Sequence, residues 1–258
     1  MAELNIVIPS YKRWENLVGY DYFYMAKYII PESQYDKYIE GRDKKRFVAI
    51  PDSEDGNIVK KRNWILKNIP RPLIMIDDDV TSLMMTDGQA DDYFLKYGKA
   101  KERVKLTPEQ AVDVFISTAN LADQWGCPLF GFNLNTDGRN YQQYKPFSLT
   151  QPILGPCSGH LEHNLLYDEK MDLKEDYDIS IQALNKYRKI LRFNKYAVDA
   201  DHKNNKGGCV SYRTMEREAE ACKAIEKKWG TKIIHYNTKN GKYTSYLNGI
   251  VHIPINGV

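Results

Sequence analysis

No apolar run in this sequence approaches the roughly 20 residues that a membrane-crossing helix needs, so no membrane span is expected. No basic leader with an apolar stretch precedes the first predicted strand, Leu4 to Ile8. No secretion signal is therefore expected, and the reading is cytoplasmic, meaning the host cytoplasm if a phage encodes the chain. Cysteine is scarce: Cys127, Cys157, Cys209 and Cys222 are scattered, and no pair has zinc-knuckle spacing. That excludes a disulfide scaffold and fits a reducing compartment. A surplus of one charge is lacking too. The 37 basic and 34 acidic residues leave a net charge of +3, too balanced to argue for nucleic acid by itself. Internal repeats, low-complexity segments and a clear linker are also missing, so the 258 residues read as one domain.

What is present is a chain with 42% hydrophobic residues, enough for a sizeable core without metal or disulfide staples. Its 19 tyrosines suit cores, sugar platforms and base stacking alike, so they do not discriminate. After the strand Leu4 to Ile8, residues Trp14 to Tyr28 read as helical or irregular. A second strand spans Arg46 to Ile50. Asp52 to Gly56 is a loop able to cap the helix Asn57 to Asn68, which Pro70 and Pro72 stop. A third strand, Leu73 to Ile76, follows. The order strand, helix, strand, helix, strand predicts a wound α/β sheet, in which ligands bind beyond the carboxyl ends of the strands. Residues 86 to 105 read as a polar loop. Beyond it, helices are expected from Thr107 to Trp125, Glu175 to Arg188 and Met215 to Trp229. Strands are expected at Leu129 to Asn133 and Ile190 to Val198.

The run Ile74-Met75-Ile76-Asp77-Asp78-Asp79 stands out: a buried strand that ends in three carboxylates. Such a cluster repels itself unless something cationic neutralises it. Hard oxygen ligands of this kind suit Mg²⁺ or Mn²⁺. An isolated Asp-Asp-Asp reads equally well as a solvated acidic turn. Position favours a site, because Pro9-Ser10 and the Asp52 loop fall at the same predicted sheet edge. In an extended geometry Asp77 and Asp79 share one side, and Asp78 faces elsewhere and is expected to be expendable.

Four features now stand in order. The first strand ends in Pro9-Ser10-Tyr11-Lys12-Arg13. Gly56 leads a basic helix start with Lys60-Lys61-Arg62-Asn63. The acidic strand end follows, and later come Tyr167-Asp168-Glu169 and Lys174-Glu175-Asp176. This ordered set resembles the GT-A class of nucleotide-sugar-dependent glycosyltransferases over roughly residues 4 to 210. The compact Ile-Pro-Ser opening, the acidic strand and the His202-Lys203…Lys206-Gly207-Gly208 loop are similar to phage-type enzymes that glycosylate hydroxymethylated DNA bases. That group is associated with base-oxidising dioxygenases.

The resemblance implies a GT-A-like wound mixed sheet flanked by helices, single domain. Residues 1 to about 85 would be the nucleotide-binding half and about 86 to 258 the acceptor half. It implies a nucleoside diphosphate sugar as donor, a UDP-sugar by type, with Mn²⁺ or Mg²⁺ as cofactor and DNA as the acceptor partner. Asp79 would bind the metal, Asp77 metal or ribose, and His202 would be a third ligand. Pro9, Ser10, Arg13, Arg62 and Lys203 would contact the donor, and Asp52 would read its nucleobase. Asp176, with Glu175 beside it, would be the base of an inverting transfer.

Each residue has a plainer reading. Lys61 reads best as surface charge, Asp52 as a helix cap, and Glu175-Asp176 as ordinary acids in a first helical turn. The 202–208 loop also reads as a plain surface loop. His160 and His163, near Cys157, lack a fourth ligand, so acceptor contact or surface is expected rather than zinc. Basic and aromatic residues interleave from Tyr187 to Lys206, including Arg188, Lys189, Arg192, Phe193, Lys195 and Tyr196. Such a groove would suit a DNA backbone and an extruded base.

Other readings remain at this point. A glycosyltransferase of this class could act on a cell-surface glycan or a small molecule. Asp77-x-Asp79-x-Thr81 also fits the first motif of haloacid-dehalogenase-like phosphatases, with Asp77 as nucleophile. That family carries the motif on its first strand, and here two strands precede it. A non-catalytic DNA-binding module is a third class.

Overall fold

Successive residues of β1 (Asn5–Pro9) face opposite ways: Ile6 and Ile8 enter one apolar cluster, and Val7 enters another. β4 (Leu73–Ile76) repeats this, with Ile74 and Ile76 on the first face and Leu73 and Met75 on the second. Strands buried on both faces need apolar residues at every position, which is why these two are legible as unbroken apolar runs. The structure is a computed structural model that describes residues 3–87, 96, 102–134, 137, 141–171, 173–201, 214–244 and 249–252.

Seven further strands complete the main path of the sheet. They are β2 (Lys27–Pro31), β3 (Phe47–Ile50), β5 (Val80–Asp87), β6 (Glu102–Lys105), β7 (Leu129–Asn133), β9 (Cys157–His160) and β10 (Leu191–Ala200), with the short β8 (Phe147–Ser148) paired to β10. Their order is β3-β2-β1-β4-β9-β7-β10-β5-β6. β3, β2, β1 and β4 are mutually parallel, and β10 is parallel to β7. β9 runs antiparallel between β4 and β7, and β5 runs antiparallel to β10. One sheet edge therefore gathers the ends of β1, β3, β4 and β10 and the starts of β5 and β9.

α1 (Tyr35–Ile39) and α3 (Pro108–Gln124) cover the face that holds Tyr38, Phe115 and Ala119. α2 (Ile58–Asn68) and α4 (Glu175–Tyr187) cover the other face through Val59, Ile65, Ile179 and Ala183. α5 (Met215–Trp229) and the short β11 (Ile234–His235) form a third cluster against α4 through Cys222, Ile225 and Ile234. The whole is one mixed α/β unit, the architecture that the GT-A resemblance implies. No helix among the described residues is long and apolar enough to cross a membrane.

The structure corrects two segments. Trp14 to Tyr28 is neither a helix nor wholly irregular, because its last two residues open β2. The run Tyr28-Ile29-Ile30 is only three residues long before Pro31, too short to stand out as a strand on its own. The expected loop from 86 begins inside β5 and ends in β6, which is exposed at all four positions and so carries no apolar signal.

Candidate active site

The turn Asp77-Asp78-Asp79 follows β4 directly, with the Val80 amide donating to the Asp77 carbonyl at 3.2 Å. It is a turn rather than an extension of the strand, and the Asp77 and Asp78 carboxylates find different partners. Asp77 Oδ1 accepts from Arg62 Nη2 at 2.8 Å and keeps about a third of its side chain exposed. Asp78 turns inward: its Oδ2 accepts from Ser10 Oγ at 2.7 Å, and Arg13 Nε lies 3.7 Å from its Oδ1. Burial pushes the Asp78 carboxyl up to about 6, against the pull of Ser10 and Arg13. Asp78 thus has partners other than that of Asp77, and its contacts give it a structural part. It anchors the loop after β1.

That loop is held by a buried polar network. Ser10 Oγ also bonds Tyr38 Oη at 2.8 Å, and Tyr38 Oη accepts the Arg13 amide at 3.0 Å. Lys61 is 3% exposed and is not surface charge. Its Nζ lies 2.5 Å from both Asp55 Oδ1 and the Ser10 carbonyl. Burial lowers the Lys61 ammonium and raises the Asp55 carboxyl, while each partner opposes the other's shift. Pro9, Ser10 and Arg13 are all buried. Ser10 and Arg13 shape the strand-end loop through these contacts.

Arg62 is buried between two carboxylates at the acidic turn. It is 5% exposed, with Nη2 on Asp77 and Nη1 on Glu175 Oε1, both at 2.8 Å, and its guanidinium lies over the Tyr167 ring. The next residue, Asn63, grips the Tyr167 backbone from both sides: Nδ2 donates to the carbonyl at 2.9 Å and Oδ1 accepts the amide at 2.8 Å. One helical dipeptide thus ties the acidic turn to the segment leading into α4. It also neutralises much of the acidic cluster from within, together with Arg13 and Lys61.

At the start of α4, burial raises the Glu175 carboxyl, Asp176 adds to the rise, and Arg62 opposes it. Asp176 is oriented by backbone donors, Oδ2 accepting from Gly155 and Oδ1 from Tyr177, both at 2.8 Å. Asp52 is exposed, and its Oδ1 accepts from the Ser33 amide and hydroxyl, so it latches the end of β3 to the turn after β2. It does not cap α2: Asn57 does, accepting from the Lys60 amide at 2.9 Å.

On the far side of the acidic turn, the Asp201 amide donates to the Asp79 carbonyl at 2.9 Å. The expected ligand His202 and the donor residue Lys203 lie outside the described residues. Among the described residues, no three His, Cys, Asp or Glu side chains are grouped to hold a metal ion. Asp77 and Asp79 are two hard oxygen donors at one edge, a set compatible with Mg²⁺ or Mn²⁺ completed by water and substrate oxygens.

A match to a family model, TAGT: TET-Associated Glycosyltransferase, covers residues 4–208. The chain belongs to the TET-associated glycosyltransferase family. No curated protein matches the chain. As a member of this family it is a glycosyltransferase tied to DNA modification. The matched segment spans every site residue placed above, from Pro9 to Asp201, and ends before α5.

One other expectation changes in this TET-associated glycosyltransferase. His160 and His163 are not surface residues: they are 0% and 8% exposed. The Leu165 amide donates to His163 Nδ1 at 3.1 Å, so neutral His163 carries its proton on Nε2, facing His160 Nδ1 at 3.1 Å. His160 then points its own N–H at Ser158 Oγ, also 3.1 Å away. Burial holds both imidazoles low, His163 at about 4. In the interleaved stretch from Tyr187, residues 202–206 lie outside the described residues. Tyr187 ends α4. Arg192 bonds Gln151 and Asn194, and Phe193 packs on Phe147 and Tyr196.

Asp55, Tyr38 and Ser158 were not singled out in the sequence. Their partners are 6, 28 and 2 residues away respectively, and nothing in the local pattern distinguishes them from ordinary turn, helix and strand residues.

Proposed function

We propose that this chain transfers a sugar from a nucleoside diphosphate sugar, a UDP-sugar by type, to the hydroxyl of a hydroxymethylated base in DNA, with inversion. The observation that carries the reading is Arg62, which holds Asp77 and Glu175 on one guanidinium. The side that would face donor phosphates and the side that would face the acceptor are thereby fixed against each other. The family's tie to base-oxidising dioxygenases supports a hydroxymethylated base as acceptor. The nucleotide would lie along the first half of the chain, with Asp52 toward the nucleobase, and the acceptor along the second.

In this reading Asp176 takes the proton of the acceptor hydroxyl. The acceptor oxygen forms a bond to the sugar's anomeric carbon. The bond from that carbon to phosphate breaks, and the nucleoside diphosphate leaves with the electron pair. Two backbone amides orient the Asp176 carboxylate, and each oxygen keeps a second acceptor site for the incoming hydroxyl. Glu175 is engaged by Arg62 and would position rather than accept. A divalent cation held by Asp79 and Asp77, with His202 as an added ligand, would offset charge on the leaving diphosphate. The reading is tested by a panel of nucleotide sugars with Mn²⁺, followed by nucleotide release with and without hydroxymethylated DNA. Release that depends on this DNA supports it. Transfer to free glycans or small molecules alone would move the acceptor to those classes.

A further inference from the structure

The family match stops at residue 208, yet the chain continues into an ordered element, residues 214–244 and 249–252. Its contacts concentrate on the residues that flank Glu175 and Asp176. Lys174, directly before the pair, is a non-glycine residue in the left-handed region at φ 70°. Such a backbone persists only where its surroundings hold it. Here the Lys174 ammonium is buried against Glu218 Oε2 at 2.7 Å and lies over the Tyr236 ring. Directly after the pair, the Tyr177 hydroxyl accepts the Gly249 amide at 2.9 Å.

One residue further, Asp178 is fully buried. Its Oδ1 accepts from Trp229 Nε1 at 2.7 Å and from Lys228 Nζ at 2.8 Å. Lys228 also reaches Asp168 Oδ2 at 2.8 Å, joining the helix to the segment before it. An unpaired buried carboxylate would be costly, so Asp178 ties the start of α4 to α5 strongly. Tyr177 and Ile181 add apolar packing against Cys222, Ile225 and Ile234.

We infer that residues 214–244 and 249–252 are a clasp that sets the aim of the Glu175–Asp176 pair, with Glu218, Lys228 and Trp229 as its positioning residues. The inference about catalysis rests on the proposed transfer reaction; the inference about aim does not. Glu218→Gln removes the charge that holds Lys174, and Lys228→Met removes the bridge between Asp168 and Asp178. Neither residue is within the family match.

Amide hydrogen exchange on the full chain tests the aim directly, because the Gly155 amide donates to Asp176. In both variants the Gly155 amide is expected to exchange at least tenfold faster, while the Val7 and Met75 amides in the sheet keep their rates. Glu218→Asp should restore protection. With nucleotide sugar and DNA, the variants should lose tenfold or more in kcat at unchanged donor KM. Unchanged Gly155 exchange in both variants, or acceleration spread evenly over the sheet, overturns the clasp. A wild-type chain without transferase activity would sink the proposed reaction and leave the exchange result standing by itself.

Discussion

The guanidinium of Arg62 donates to the carboxylate of Glu175 at 2.8 Å, joining residues 113 positions apart in the chain. The same guanidinium reaches Asp77, so α2, the end of β4 and the start of α4 meet at one cation. Removing one partner of a buried pair leaves the other charge uncompensated, which typically costs about 3–5 kcal/mol. Arg62→Met should lower unfolding stability by about that amount in urea titration. The double variant Arg62→Met with Glu175→Gln should recover part of it, since the stranded charge is then gone. A loss below about 1 kcal/mol, by comparison with that range, would contradict the bridging role.

Asp78 gives a pH dependence of definite sign. Its folded carboxyl is raised from an ordinary 3.8 to about 6. Between those values the native state holds more protons than the unfolded chain. Stability contributed by this group is therefore present at low pH and lost as pH rises from about 4 to about 6. The fall should be smaller in Asp78→Asn than in wild type when urea midpoints are measured across that window. Equal slopes in the two proteins would contradict the buried environment.

The histidine pair should act in the opposite sense. His163 drops from 6.5 to about 4 in the folded chain, and His160 falls below its ordinary value as well. Their contribution is complete above pH 6.5 and is lost as pH falls toward 4, because the unfolded imidazoles bind protons that the buried ones refuse. His163→Gln should flatten the acid limb of the stability profile. A limb as steep as wild type would show that the pair is not buried in neutral form.

These residues also mark what was legible in the sequence and what was not. β4, α2 and β7 could be read because their patterns are local: apolar runs and a proline stop. The Arg62-Asn63 pair was legible only as a motif, and its partners Asp77, Glu175 and Tyr167 were not. An arginine on a helix reads as a free cation until Asp77 and Glu175 arrive from elsewhere in the chain. Lys61 reads as surface charge for the same reason, since its burial depends on the Ser10 carbonyl 51 residues away. His160 was obscured because β9, with Ser158 and Gly159 beside it, has little apolar signature of its own.

The two acidic residues at the start of α4 separate by kinetics. Asp176→Asn should abolish transfer, a loss of at least about 10²-fold by the usual worth of general base catalysis. Glu175→Gln should lose less and should weaken the hold on Arg62. The reverse order would move the base to Glu175.

The most direct test is the product itself. Hydroxymethylated DNA incubated with the protein, the productive nucleotide sugar and Mn²⁺ is digested to nucleosides and weighed by mass spectrometry. Wild type should yield a glycosylated hydroxymethyl nucleoside, with Asp79→Ala falling by about 10²–10³-fold, as for other lost electrostatic stabilisers. Full activity of Asp79→Ala with excess EDTA present would contradict the metal-assisted account. Unmodified hydroxymethyl nucleoside across the whole donor panel with wild type would contradict the central claim.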